Sequence, residues 1–225
     1  MYGLLIATGA LVALLISEKL VKKEGRDPDI LWGLAFWTLL AGVAGARLYH
    51  VASVWTYYSE NLLLVPQIWL GGLGIWGGLA GGVAASTIYL RTKKERFLGW
   101  INIIAVSVPL AQAIGRLGNY FNHEIYGSPT KLPWGIYSEK VHPLFLYESV
   151  LNLALFAILL KRYGRGSKTI LYEYLAGYAI IRFFLEFLRV NPQEIWEISG
   201  LNIAQVISIL TLGISVYFIN KSCQK

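Results

Sequence analysis

Apolar residues run along this chain in long blocks, not in the alternation of a strand or the narrow stripe of a surface helix. Crossing a hydrocarbon layer of about 30 Å takes about 20 mostly apolar residues at about 1.5 Å each. Seven stretches approach that length, at roughly residues 2–16, 30–54, 68–90, 98–114, 143–160, 169–188 and 201–219. The pattern predicts an all-α integral membrane protein with seven transmembrane helices, residues 1–225 forming a single membrane domain. Residues 115–142, between the fourth and fifth stretches, form the only connection long enough for a small element outside the membrane. Composition agrees: 56% of the chain is hydrophobic and 15% charged, against roughly 25% charged in an ordinary soluble domain.

Charge then orients the bundle. A net charge of +7 would suit nucleic acid if it were gathered on one surface, but the basic residues fall in alternate connections. Lys19, Lys22, Lys23 and Arg26 follow the first stretch, and Arg91, Lys93, Lys94 and Arg96 the third. Lys161, Arg162, Arg165 and Lys168 follow the fifth, and Lys221 and Lys225 the seventh. Cytoplasmic connections are the Lys/Arg-rich ones, so the C-terminus is expected in the cytoplasm, with the N-terminus and residues 115–142 outside. The first stretch has no basic residue before it and is followed by Glu18 and Lys19, not by small residues, so it is expected to be a retained span and not a cleaved leader. Cys223 is the one cysteine and falls on the cytoplasmic side, which offers no disulfide, metal set or nucleophile for chemistry at the outer face.

The other basic residues, Arg47, Arg116, Lys131, Lys140, Arg182 and Arg189, all fall on the outer side or in the outer half of a span. An arginine in a span costs a few kcal/mol even on lenient scales, so it pairs, snorkels or lines a wet cavity. Tyr178, Arg182, Glu186 and Arg189 are spaced by four, four and three, which stacks them on one helical face. Counted from Thr169, Arg182 lies about 20 Å along its helix, a little beyond the midplane. In GRLGNYFNHEIYG, residues 115–127, Gln112, Arg116, Asn119 and His123 would share a face if the fourth helix continued that far. Gly115 and Gly118 then let another backbone or a ligand approach closely; alternatively, they end the helix and Arg116 snorkels. Two helices presenting arginines at similar depth favour an anion site over a simple helix cap. In HPLFLYESVLN, residues 142–152, Pro143 opens a helix that carries Glu148 and Asn152 into the span, Glu148 as a buried partner for one of the arginines. In GGLGIWGGLAGG, residues 71–82, glycines spaced by four at Gly74, Gly78 and Gly82 indicate close helix packing, with Trp76 as a packing or interface residue. Arg47 and Tyr2, taken alone, read as interfacial anchors.

Together these motifs resemble the prolipoprotein diacylglyceryl transferase family. GRLGNYFNHEIYG is similar to its G-R-x-G-N-(F/Y)-x-N-x-E-x-x-G signature, and MYGL, GARLYH, GGLGIWGGLAGG, HPLFLYE and YAIIRFFLEFLR resemble its other segments in order. The resemblance covers nearly the whole chain. It implies seven spans with the N-terminus outside, in the bacterial cytoplasmic (inner) membrane. It also implies transfer of the diacylglyceryl group of phosphatidylglycerol to the lipobox cysteine thiol of a prolipoprotein signal peptide, with a thioether and glycerol 1-phosphate as products. No metal or organic cofactor and no nucleic-acid partner is expected. By matching position, Arg116 and Arg182 correspond to essential arginines, Asn119, Glu124, Gly127 and Glu186 to other signature residues, and Tyr2 to a functional tyrosine. Arg116, Arg182, Arg47, Asn122, His123, Gly127 and Glu148 are the candidates for the phospholipid phosphate and headgroup.

The residue chemistry suits this reaction. A thiol that displaces phosphate at carbon needs a held phosphate and donors for the charge growing on the leaving oxygen, work for arginines in a dry pocket. The nucleophile belongs to the substrate. Three departures from the family pattern stand out. Trp76 occupies a position where many members carry a histidine proposed as general base, and an indole accepts no proton. Glu124, Glu186, His123, Tyr2 or a thiolate held in the arginine field are the alternatives. Phe145 replaces a glutamine, and the outer segment is short. Two other readings fit intramembrane Arg and Glu: a transporter or flippase for an anionic lipid or solute, and an inactive lipid-binding relative.

Overall fold

The computed structural model describes residues 1–189, 197–198 and 200–223. Lys225, counted above among the basic residues, lies outside them. Eight α-helices occur among the described residues: α1 (Tyr2–Lys23), α2 (Pro28–Ser53), α3 (Trp55–Ser59), α4 (Ile75–Thr92), α5 (Phe97–Phe121), α6 (Leu144–Gly164), α7 (Ile170–Glu186) and α8 (Ile203–Cys223). Glu197–Ile198 and Leu201–Asn202 pair as a two-residue antiparallel ladder. Five helices, α1, α2, α5, α6 and α8, are long and apolar enough to cross a membrane. At 18 and 17 residues, α4 and α7 extend about 27 and about 26 Å, short of a full hydrocarbon layer.

Three helix boundaries depart most from the hydropathy reading, and one is the end of α1, which runs past residue 16 through the basic residues to Lys23. The stretch expected from residue 68 is α-helical only from Ile75; before it come a 3₁₀ turn at Ile68–Leu70 and two glycines at φ +86° and +72°, Gly71 and Gly72. Hydropathy does not register such a break, because the residues across it stay apolar. Conversely, α5 does not stop near residue 114 but runs through Gly115 and Gly118 to Phe121.

Contacts divide the chain into two compact units, Met1–Leu20 with Ile101–Lys225, and Val21–Trp100. In the first, Ala105 and Val106 of α5, Leu144, Leu155 and Leu159 of α6, and Ile170, Ile181 and Leu185 of α7 make the buried apolar core. Polar residues are buried too, among them Ser107, Asn119, Glu148, Asn152, Gln205, Ser208 and Ser215, while Leu4, Leu153, Phe184 and Leu210 face outward. Such a distribution, polar groups inside and large apolar side chains outside, suits helices whose surroundings are hydrocarbon. In the second unit α2 and α4 pack at backbone distance. A Cβ on Gly45 would overlap the Gly77 carbonyl oxygen, and one on Gly81 the Ala41 carbonyl oxygen. Close glycine packing is present as expected, but the backbone contact runs through Gly77 and Gly81, while Gly78 and Gly82 of the expected stripe make ordinary contacts.

Between α5 and α6 the chain folds back on itself. Gly127 N–H donates to His142 O (2.8 Å), His142 N–H to Ser128 O (3.1 Å) and Thr130 N–H to Lys140 O (2.7 Å). Ser128 N–H reaches Leu188 O (2.8 Å), which ties this small connecting element to the end of α7.

Candidate functional site

Arg116 lies in the last two turns of α5, and its Nη2 meets Glu148 Oε1 of α6 at 2.9 Å. The same oxygen accepts from the Tyr178 hydroxyl of α7 at 3.2 Å, so one carboxylate joins three helices. Glu148 is only 1% exposed. A carboxylate buried that deeply is tolerated when a cation and further donors meet it, and both do here. A turn deeper, Gln112 Nε2 donates to the Tyr174 hydroxyl (2.9 Å), a second brace between α5 and α7. Tyr174 and Tyr178 stack with centroids 6.1 Å apart. Asn152 donates to the Glu148 carbonyl one turn back on its own helix.

The guanidinium of Arg116 stays partly open, to a cleft of about 310 Å³ lined by Tyr2, Ile6, Ala10, Ala111, Gln112, Gly115, Arg116 and Asn119. Tyr2 takes its place there because Gly118 has no side chain: a Cβ at 118 would lie 2.6 Å from the Tyr2 ring. Asn119, buried, donates to Glu124 Oε1 at 2.9 Å, and exposed Asn122 donates to the same oxygen at 3.2 Å. The backbone closes the loop as well, from Glu124 N–H to Asn119 O (3.1 Å). Thus Arg116 and Asn119 share the cleft, and Asn119 carries Glu124 with it.

On α7, Arg182 Nη2 lies 2.7 Å from buried Glu186 Oε2, and Arg189 Nη1 lies 3.7 Å from the same atom. Neither contact is aligned as a hydrogen bond, so the oxygen keeps acceptor capacity within an ion-paired cluster. Tyr178 shares Glu148 Oε1 with Arg116 and lies one turn before Arg182 on α7, which puts it between the two arginine clusters.

Other expected residues lie elsewhere or do other work. His123 leaves the α5 face: the helix ends at Phe121, His123 has φ +52°, and its ring faces Tyr137 at 5.0 Å. It lines a separate cavity of about 550 Å³ with Tyr126, Tyr137, Ser138, Glu139 and Val141. Partial burial, with Tyr120 and Tyr126 nearby, pushes the Tyr137 phenol above the ordinary tyrosine range. Gly127 acts through its backbone. A Cβ there would lie 2.7 Å from Leu188 O and 2.8 Å from the His142 Cβ, so it is a closing point of the element between α5 and α6, with no side chain to offer a headgroup. Arg47 is buried, and its guanidinium is engaged by four carbonyls: Nε to Val65 O (2.7 Å), Nη1 to Gly71 O (2.6 Å) and Gly72 O (3.1 Å), and Nη2 to Leu64 O (2.6 Å). It also lies over the Tyr58 ring at 5.1 Å. This arginine organises the loop before α4, and neither the anchor nor the phosphate-ligand expectation describes it. Trp76 is 56% exposed in the first turn of α4, and Phe145 packs against the Tyr120 ring at 5.5 Å.

Sequence reasoning did not assign Tyr174 or Tyr178 to the site, although the four-residue spacing of Tyr174, Tyr178 and Arg182 was an available signal; at Gly118 the close approach that the sequence allowed is taken by Tyr2. Among the described residues no group of three His, Cys, Asp or Glu side chains is placed to hold a metal ion.

Comparison with known proteins adds an independent line. A family model described as prolipoprotein diacylglyceryl transferase matches residues 1–220. Curated relatives bear the name phosphatidylglycerol–prolipoprotein diacylglyceryl transferase. That of Thermosynechococcus vestitus is 36% identical over 95% of this chain and 84% of its own length. That of Acaryochloris marina is 38% identical over 96% and 83%, and that of Clostridioides difficile 38% over 93% and 85%.

Proposed function

The chain belongs to the prolipoprotein diacylglyceryl transferase family, and from that premise we propose that it moves the diacylglyceryl group of phosphatidylglycerol to the lipobox cysteine thiol of prolipoprotein signal peptides. The observation that carries this is the half-open guanidinium of Arg116, held on buried Glu148 and facing a cleft shared with Tyr2 and Asn119. In the reaction the thiolate sulfur attacks the glycerol carbon that bears the phosphate. A C–S bond forms, the C–O bond breaks, and the electron pair leaves on the phosphate oxygen of glycerol 1-phosphate. Arg116 and Arg182 hold the phosphodiester and meet the charge growing on that oxygen, each aimed in advance by a buried carboxylate, Glu148 or Glu186.

The thiol proton needs an acceptor other than Trp76. Glu124 suits this step best. Asn119 and Asn122 both donate to its Oε1, which leaves Oε2 for the proton, whereas Glu186 is engaged by two guanidiniums and His123 sits in the separate cavity. The seven apolar stretches form one membrane domain in the bacterial inner membrane, with residues 115–142 and the N-terminus outside and the C-terminus in the cytoplasm. In this reading both substrates reach the site from the outer half of the bilayer. The test is purified protein with phosphatidylglycerol and a lipobox peptide, read by mass spectrometry. A peptide heavier by the diacylglyceryl group, with release of glycerol 1-phosphate, is expected. No such product, where a validated family member makes it in the same micelles, would overturn the reading.

A further inference from the structure

Within the first unit α1 and α5 run antiparallel along a seam of small residues. Tyr2 lies on Gly118, Ile6 beside Gly115 and Gly9 on Ala111, and the Ser17 and Ser107 hydroxyls meet at 2.7 Å. At Gly9 the backbones nearly touch: a Cβ there would stand 2.8 Å from the Ala111 carbonyl oxygen. The cleft of about 310 Å³ follows this seam. Its lining changes character, from Arg116, Asn119 and Tyr2 at one end to Ile6, Ala10 and Ala111 at the other. Ala10 is exposed, so the apolar end opens on the surroundings of the helices.

We propose that this apolar end holds the ester-proximal part of one acyl chain of the donor phosphatidylglycerol, with the phosphodiester of the same molecule at Arg116; the proposal rests on the transferase reading. A groove that is cationic at one end and apolar at the other matches an anionic amphiphile. The apolar segment of a signal peptide would match the apolar half alone and bring no anion to the guanidinium. From Arg116 to Ala111 the helix rises about 8 Å, room for the first methylenes of a chain whose remainder lies in the bilayer. The close approach of α1 and α5 at Gly9 and Ala111 bounds the slot, and Ile6 is the bulky side chain on its wall. The slot therefore makes the enzyme sensitive to chain width next to the ester.

Dipalmitoyl- and diphytanoyl-phosphatidylglycerol test this in mixed micelles, because the phytanoyl chain carries a methyl branch close to the ester. Wild-type protein is expected to favour the straight-chain lipid in kcat/KM by about tenfold, the low end of what one misplaced methyl is worth in an apolar pocket. Ile6→Ala, which widens the slot, should narrow that preference. Ala10→Trp, which fills it, should raise KM for the dipalmitoyl lipid by about tenfold and leave KM for the lipobox peptide unchanged. A wild-type preference near one, or an Ile6→Ala preference equal to wild type, overturns the proposal. So does an Ala10→Trp variant whose peptide KM rises in place of the lipid KM, which would give the slot to the signal peptide. Should Ala10→Trp not fold, the Ile6→Ala ratio decides. Wild-type protein that makes no thioether from either lipid would instead overturn the transferase reading itself, a different result.

Discussion

Three arginines of this chain are buried or half-buried, yet they hold opposite partners. Arg47 gives its donors to four backbone carbonyls, whereas Arg116 and Arg182 rest on carboxylates and stay open enough to meet an anion. That difference separates their mutational effects. Arg116→Ala or Arg182→Ala should lower kcat/KM by about 10²- to 10³-fold, the cost of losing one preorganised donor at a developing oxyanion, and should also lower the unfolding temperature in detergent, because Glu148 or Glu186 is left buried without its cation. Trp76→Ala, which removes an exposed indole, should change kcat/KM by far less; a loss as large as that of either arginine would put Trp76 in the site. Arg47→Ala should act on stability, lowering the unfolding temperature and raising proteolysis in residues 60–74, because the four hydrogen bonds that hold the loop are lost, each worth about 1 kcal/mol net. Nothing in the spacing of Arg47 distinguishes it from Arg116. The carbonyls that engage it come from residues 17 to 25 positions away, and only the folded loop brings them to it.

At the scale of elements, the glycines that carry packing are those whose Cβ would strike backbone. Gly77→Ala is expected to force α2 and α4 apart and cost about 1 to 3 kcal/mol, an overpacking penalty that a shifted thermal unfolding curve would report. Gly78→Ala, whose Cβ would meet Ala46 at an ordinary 3.5 Å, should be nearly silent, and equal effects at both positions would refute this assignment. A four-residue stripe was legible in the sequence, but not which of two adjacent stripes faces the partner helix. The end of α5 was likewise open to two readings. Its continuation to Phe121 keeps Gln112, Arg116 and Asn119 on one face and excludes His123, which the spacing alone had included.

For the whole molecule, the expected orientation has its own check. Reporter fusions after residue 225 should be active only in the cytoplasm, and fusions within residues 128–140 only outside it; the reverse pattern would invert the site relative to its substrates. The all-helical class, the positions of the apolar blocks and the charged residues within them follow from hydropathy and spacing, because desolvation acts on each segment by itself. The likeness to the transferase family was also legible, since its motifs are runs of adjacent residues. Pairing was not. That Glu148 serves Arg116, that Tyr178 shares the same carboxylate, and that Tyr2 rests on Gly118 beside Arg116 depend on helices distant in sequence. Only their packing brings a donor within about 3 Å of its acceptor, the range in which such bonds have their strength.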